Sequence, residues 1–207
     1  MNQGGLAEGV GADPARTSFS MLRDVKEFQA AINAPERCVV PVIAAVAGHV
    51  LGLGIDIIAA CDVRYAADDA QFSIMEVNVG IAADIGTLAH LPKITGNHSL
   101  LRELAYTAAP FSAADAAQLG LVSRVVPGGA TAVTSAALAL ARTIAGKSPV
   151  AVAGTKRVLL HARDHTVAEN LEYVAVWNAA MLHTESLAAS RARRAPQFKP
   201  LRTPAKL

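Results

Sequence analysis

The stretch from Cys38 to Ala66 does most to limit what this chain can fold into. Val39, Val40, Val42 and Ile43 form a short β-branched run without alternation, the pattern of a strand covered on both faces of a layered α/β domain. A glycine turn over residues 48–54 follows, then an apolar helix with Ile55, Ile57, Ile58, Ala59 and Ala60, then a second strand at residues 63–66. Strand, glycine turn, helix and strand in that order make a βαβ crossover, which favours parallel pairing. Residues 38–55 carry no formal charge and approach the length of a membrane span. Pro41, Gly48, His49, Gly52 and Gly54 break the run, so no membrane span is expected.

Either side of this unit the pattern is mainly helical. Residues 1–13 are Gly-rich and irregular, and Phe19, Leu22, Val25, Phe28 and Ile32 then recur at helical spacing, with Pro35 expected to close that helix. A third strand is expected at 72–74, helices at 88–91, 100–108 and 113–119 with Gly120 as C-cap, and a strand at 121–126. Beyond it only helices are expected: 131–145, 149–162 behind the N-cap Ser148, and 166–182 behind a Thr166/Glu169 capping box. The fold class is therefore α/β, with a mixed core at 1–146 and a helical region with an exposed basic tail at 147–207. Leu171, Val174, Trp177, Ala180 and Met181 form an apolar stripe that either packs on its own core or faces another subunit.

Composition narrows the function classes. A chain of 207 residues with 52% hydrophobic residues can build a core, which excludes disorder over most of its length. Nineteen basic against 17 acidic residues give a net charge of +2, so nucleic acid is not expected as a partner. Cys38 and Cys61 read as buried thiols of a reducing compartment, with no metal-binding spacing. The N-terminus lacks the charged start and apolar run of a secretory signal.

Two features point to chemistry. The segment His49-Val-Leu-Gly-Leu-Gly-Ile-Asp56 places Gly52, Leu53 and Gly54 at a helix mouth, where backbone N–H groups can face a phosphate or a developing oxyanion. By itself this signal is weak, lacking the spacing of a dinucleotide or phosphate loop, and a tight strand-to-helix turn that merely needs glycine is the better account of it alone. The second feature is three acids in apolar runs, Asp56, Glu76 and Asp84. Carboxylates in dry surroundings have raised pKa values and can exchange protons near neutral pH. His49 is placed to line such a site, whereas His90, His98, His161, His165 and His183 receive no role. Asp62, Arg64, Asp68 and Asp69 read as structural caps or surface ion pairs.

These residues also carry a resemblance. Pro41-Val-Ile-Ala-Ala-Val-Ala-Gly48, Gly52-Leu-Gly54-Ile-Asp56, Ala60-Cys-Asp62-Val-Arg64-Tyr-Ala, Phe72 and Glu76-Val-Asn-Val-Gly80 resemble the enoyl-CoA hydratase/isomerase (crotonase) family from about residue 18 onward. Hydratases of that family typically carry Glu at the position of Asp56 and a small residue at that of Asp84; Asp/Glu/Asp is the pattern of its dienoyl-CoA isomerases. The resemblance implies a ββα spiral core, N-terminally shortened here, and a C-terminal helical oligomerisation region forming a homo-oligomer, trimer or hexamer. It implies an acyl-CoA substrate, with coenzyme A part of that substrate and no cofactor or metal, and double-bond movement in fatty-acid β-oxidation. Glu76 and Asp84 would move protons, Asp56 would orient them, and backbone N–H groups at Gly52, Leu53 and Gly54 would hold the thioester enolate. Leu53 stands where the family usually has the middle glycine of three. The family's N-terminal oxyanion strand has no counterpart before Gly4-Gly5. A 2-enoyl-CoA hydratase using Asp56 and Glu76, and a non-catalytic oligomeric CoA-binding remnant, are the alternatives. The expected location is the bacterial cytoplasm, or the peroxisome in a eukaryotic setting, from the terminal Ala205-Lys206-Leu207.

Overall fold

The computed structural model describes residues 13–183 and residues 187, 188, 198, 199 and 201. The expected irregular start up to residue 12 and most of the basic tail lie outside the described residues. Helix α1 (Pro14–Ile32) opens where the Asp13 carboxylate accepts from Ala15 N–H, with Pro14 in its first turn. Pro35 does not simply close it: Asn33 ends α1, and Pro35 sits in the first turn of a short second helix, α2 (Ala34–Arg37). There its missing N–H costs nothing.

The two outer valines of the expected first strand are not in it. Val39 and Val40 are 66% and 51% exposed, Cys38 is exposed as well, and strand β1 spans only Ile43–Val46. Pro41 has no N–H to give a ladder, so pairing begins at Val42, whose carbonyl accepts from Asp62 N–H at 2.9 Å. Cys61 alone of the two cysteines is buried.

Next come β2 (His49–Leu51), α3 (Leu53–Ala59), β3 (Val63–Ala67) and β4 (Gln71–Ser73). β1 and β3 pair in parallel with α3 between them, so the crossover forms as expected. The glycine turn is more structured than expected, since His49, Val50 and Leu51 pair in parallel with Gln71, Phe72 and Ser73. A 3-10 turn (Glu76–Val79) leads to α4 (Thr87–Ile94) and α5 (His98–Thr107). β5 (Phe111–Ser112), α6 (Ala113–Leu119) and β6 (Arg124–Val126) complete two three-stranded sheets, ordered β1-β3-β6 and β2-β4-β5. The last strand starts three residues late because Gly120, left-handed at φ 88°, folds the chain back: the Leu121 and Val122 N–H groups donate to Ala116 O at the end of α6.

The core lies between these layers. Ile55, Phe72, Ile74, Leu91, Leu119 and Leu121 are fully buried, and Phe72 stacks on Phe111 with ring centroids 5.3 Å apart. Each such side chain contributes roughly 1.5–3 kcal/mol on burial. Helix α7 (Gly129–Ala145) covers the first sheet, with Val133 buried against Ala67 and Val126. Polar residues pin the layers as expected: Asp62 Oδ2 accepts from Val42 N–H, Arg64 donates to Leu121 O and Cys61 O, and Asp68 accepts from Gly128 N–H.

Helices α8 (Pro149–Ala162) and α9 (Val167–Met181) pack on each other, with Ser148 as N-cap of the first and the Thr166/Glu169 capping box on the second. A Cβ on Gly154 would stand 2.6 Å from Trp177 Nε1. No residue of α9 is buried: Val174 and Trp177 are half-buried, and Leu171, Ala180 and Met181 are exposed. The apolar stripe is therefore only partly covered by this chain itself, at Val174 and Trp177. Among the described residues no helix is long and apolar enough to cross a membrane.

Candidate active site

The site begins at the end of β2. The Gly52 N–H donates to Ser73 O at 3.0 Å, which extends the β2–β4 ladder by one bond and removes this N–H from the set of oxyanion donors. Gly52 then adopts φ 48°, a conformation that glycine enters without steric cost. The Leu53 and Gly54 N–H groups open α3, where the first N–H groups have no intrahelical acceptor. Neither donates to any other described residue. Because the positive φ falls on Gly52 and Leu53 begins the helix, leucine fits its position without backbone strain.

Glu76 faces this turn. Its Oε1 would lie 3.2 Å from a Cβ placed on Gly52, and its Oε2 is buried without a hydrogen-bond partner. Burial pushes the Glu76 carboxyl above its ordinary range, the Asp56 and Asp84 carboxylates push the same way, and its own and Met75's backbone amides oppose them. Three acids separated by up to 28 positions therefore share one electrostatic neighbourhood.

The other two acids differ from it. Asp56, 2% exposed inside α3, accepts from Thr87 N–H at 2.6 Å and Thr87 Oγ1 at 2.8 Å on the same oxygen. It therefore anchors the start of α4 and positions the loop before it. Asp84 is exposed, on the loop between Gly80 and Gly86, so the dry surroundings expected for these acids hold in part at half-buried Glu76, through its buried Oε2, and not at Asp84. Its apolar neighbours Ile81 and Ala82 are themselves exposed, which explains why an apolar local sequence did not translate into burial. Its backbone carbonyl is held by Gln29 Nε2 at 2.6 Å. His49 lies on the exposed face of β2, opposite the buried Val50, and bonds none of the three acids among the described residues.

Near Glu76 and Asp84 in the chain, Met75, Val77, Val79, Ile81 and Leu88 are exposed apolar side chains, surface of the kind that can take an aliphatic chain. Sequence reasoning missed Thr87, Gln29, Asn33 and His90. Their partners lie 31 to 57 residues away, so no local spacing signals them.

The description of the enoyl-CoA hydratase/isomerase family matches residues 17–200. The chain is 52% identical over 180 residues to a human protein named Delta(3,5)-Delta(2,4)-dienoyl-CoA isomerase, mitochondrial, covering 87% of this chain and 55% of that one. It is 47% identical over 195 residues to its peroxisomal namesake from Arabidopsis thaliana, covering 92% and 69%. A crystal structure of a Thermobifida fusca protein titled a putative enoyl-CoA hydratase in complex with CoA superimposes with a TM-score of 0.74 at 28% identity, over 86% of this chain and 65% of that one. The chain spans about half the length of the mammalian relatives it matches. With its crossover, its glycine turn and its Asp/Glu/Asp set on a crotonase fold, the chain belongs to the enoyl-CoA hydratase/isomerase family.

Proposed function

We propose that the site isomerises a 3,5-dienoyl-CoA thioester to the 2,4-dienoyl form. Moving the double bonds from C3=C4 and C5=C6 to C2=C3 and C4=C5 requires loss of a proton at C2 and gain of one at C6. No redox change or water is involved. One acid of the pair Glu76 and Asp84 takes the first proton and the other returns one at the far end of the conjugated system. The enolate charge that develops on the thioester oxygen would be met by the Leu53 and Gly54 N–H groups, and each such donor is worth roughly 100- to 1000-fold in rate. Asp56, spent on Thr87, orients the other two.

The observation that carries this reading is the buried, partnerless Glu76 Oε2, a carboxylate whose proton affinity is raised and whose hydrogen-bonding capacity is free for a ligand. The names of the two relatives and the CoA in the Thermobifida structure support the substrate class. We extend the reading to a catalytic core at 1–146 and an oligomerising helical region at 147–207. The test is turnover of 3,5-dienoyl-CoA, followed by the absorbance of the conjugated product. Asp84→Asn should lower kcat by about 100-fold or more, the usual contribution of a positioned acid or base. Equal turnover by Asp84→Asn overturns the assignment.

One observation favours a second reading. Asp84 is exposed, and a 2-enoyl-CoA hydratase would work with Glu76 and Asp56 alone. Water addition to crotonyl-CoA that survives Asp84→Asn would establish that reading in place of the first.

A further inference from the structure

A single string of polar contacts ends on the loop that bears Asp84. Gln29 Nε2 donates to Asp84 O at 2.6 Å. Asn33 Nδ2 donates to Gln29 O at 2.8 Å and to Ile85 O at 3.1 Å. With both amide hydrogens used, Asn33 turns its oxygen toward His90 Nε2, 2.5 Å away. Nε2 must then carry the ring proton, because an amide oxygen can only accept. Nδ1 is left to accept from Arg163 Nη1 at 3.4 Å. Arg163 is itself held by both oxygens of Glu36, at 2.6 and 3.0 Å. Three of these bonds run in one direction, Arg163 to His90, His90 to Asn33 and Asn33 to Ile85 O, and aligned bonds of this kind polarise one another. The loop backbone lies directly against the string: a Cβ on Gly86 would stand 3.2 Å from His90 Cδ2 and 3.5 Å from Asn33 Oδ1.

The Gln29 bond is, among the described residues, the one hydrogen bond made to Asp84 itself. Among the described residues no donor bonds its carboxylate, so the placing of its backbone decides where the carboxylate stands. On the far side the loop is fixed by Asp56 on Thr87. We propose that Gln29, Asn33 and His90 are positioning residues that latch residues 84–86 and set the place of Asp84 against the substrate. This rests on the reading of Asp84 as a proton-moving acid. A misplacement of about 1 Å at a reacting group can cost 100-fold in rate.

The test compares His90→Leu, His90→Gln and Gln29→Met with the unmodified full chain, reading kcat and KM on 3,5-dienoyl-CoA and amide hydrogen exchange over residues 84–87. His90→Leu removes the donor to Asn33, and Gln29→Met removes the tie to Asp84 O; both should lower kcat roughly 10- to 100-fold with KM within about threefold. Exchange over 84–87 should accelerate in both. His90→Gln, which can offer an N–H near the position of Nε2, should recover most of the loss. Unchanged kcat and unchanged exchange in His90→Leu and Gln29→Met overturn the latch. Should His90→Leu fail to fold, the half-buried Gln29 decides the matter through Gln29→Met alone. Asp84→Asn separates the two claims: wild-type turnover there sinks the proposed function, while a normal loss there with full activity in the latch variants sinks only the latch.

Discussion

Glu76 shows how a residue's chemistry and its stability cost are one quantity. Its carboxyl is raised above the ordinary range, first by burial and then by the Asp56 and Asp84 charges. The folded chain therefore binds this proton more tightly than the unfolded chain does. The stability tied to it is fully present below the unfolded pKa and is lost as pH rises through the raised folded value. Above the unfolded pKa that contribution falls away, and Glu76→Gln, which carries no titrating carboxyl, should raise Tm at pH 7–8 while abolishing turnover. The gain should shrink when the melts are repeated near pH 4, where wild type is protonated too; a variant no more stable at pH 8 than wild type contradicts the assigned cause. Gly52 belongs to the same unit, since at φ 48° any side chain there would be strained and its Cβ would press on Glu76 Oε1, 3.2 Å away. Both residues were legible in the sequence, one as part of a glycine turn and the other as an acid in an apolar run. What the sequence could not show is which atoms are already spent. Asp56 reads like Glu76 on paper, yet Thr87 occupies one of its oxygens from 31 positions away.

At the scale of elements, the helices with strong end signals lie where their caps put them. Ser148, Thr166 and Gly120 each cap as expected, because capping is local chemistry. The strands were less legible, since a strand's length is settled by a partner elsewhere in the chain, and Val39 and Val40 have none. A long-range strut works against that exposed segment. Lys156 in α8, whose side chain is 4% exposed, donates to Pro35 O at 2.9 Å, Val40 O at 3.2 Å and Asp62 Oδ2 at 2.7 Å. All three ammonium hydrogens are used, so one lysine joins α8 to α2, to the approach of β1 and to the start of β3. A lysine in an apolar helix read as nothing in the sequence, because its three acceptors lie 94 to 121 positions away. Lys156→Met keeps the volume and leaves Asp62 without its cation. It should cost about 3 kcal/mol in urea unfolding, the lower end for breaking a largely buried pair. Adding Asp62→Asn should then cost less than the sum of the two single changes; strict additivity would mean that the two groups do not interact.

At the scale of the molecule, the two ends of the described chain share a property. Phe19 on α1 is 74% exposed and Leu171 on α9 is 65% exposed. They are joined by Met21 and Leu22 on the first helix and by Val167 and Val176 on the last. Neither helix has a single buried residue, although each carries enough apolar positions to bury a full face. Such faces in water tend to be covered by another chain, and closed symmetric assemblies are the usual outcome. The helical end is not independent of the core in this respect: Lys156 and Arg163 bind it to α2 and β3, so an assembly held through α9 would reach the latch beside Asp84 through α8. We expect the full chain at micromolar concentration to show a light-scattering mass that is a multiple of its 21.4 kDa. Leu171→Glu places a charge in the middle of the exposed face of α9, where a lone chain would tolerate it at a cost within about 0.5 kcal/mol. If α9 is a subunit contact, that substitution should lower the assembled mass at unchanged secondary structure. A wild-type chain that stays at 21.4 kDa, or a Leu171→Glu variant that assembles like wild type, removes α9 as the assembling face.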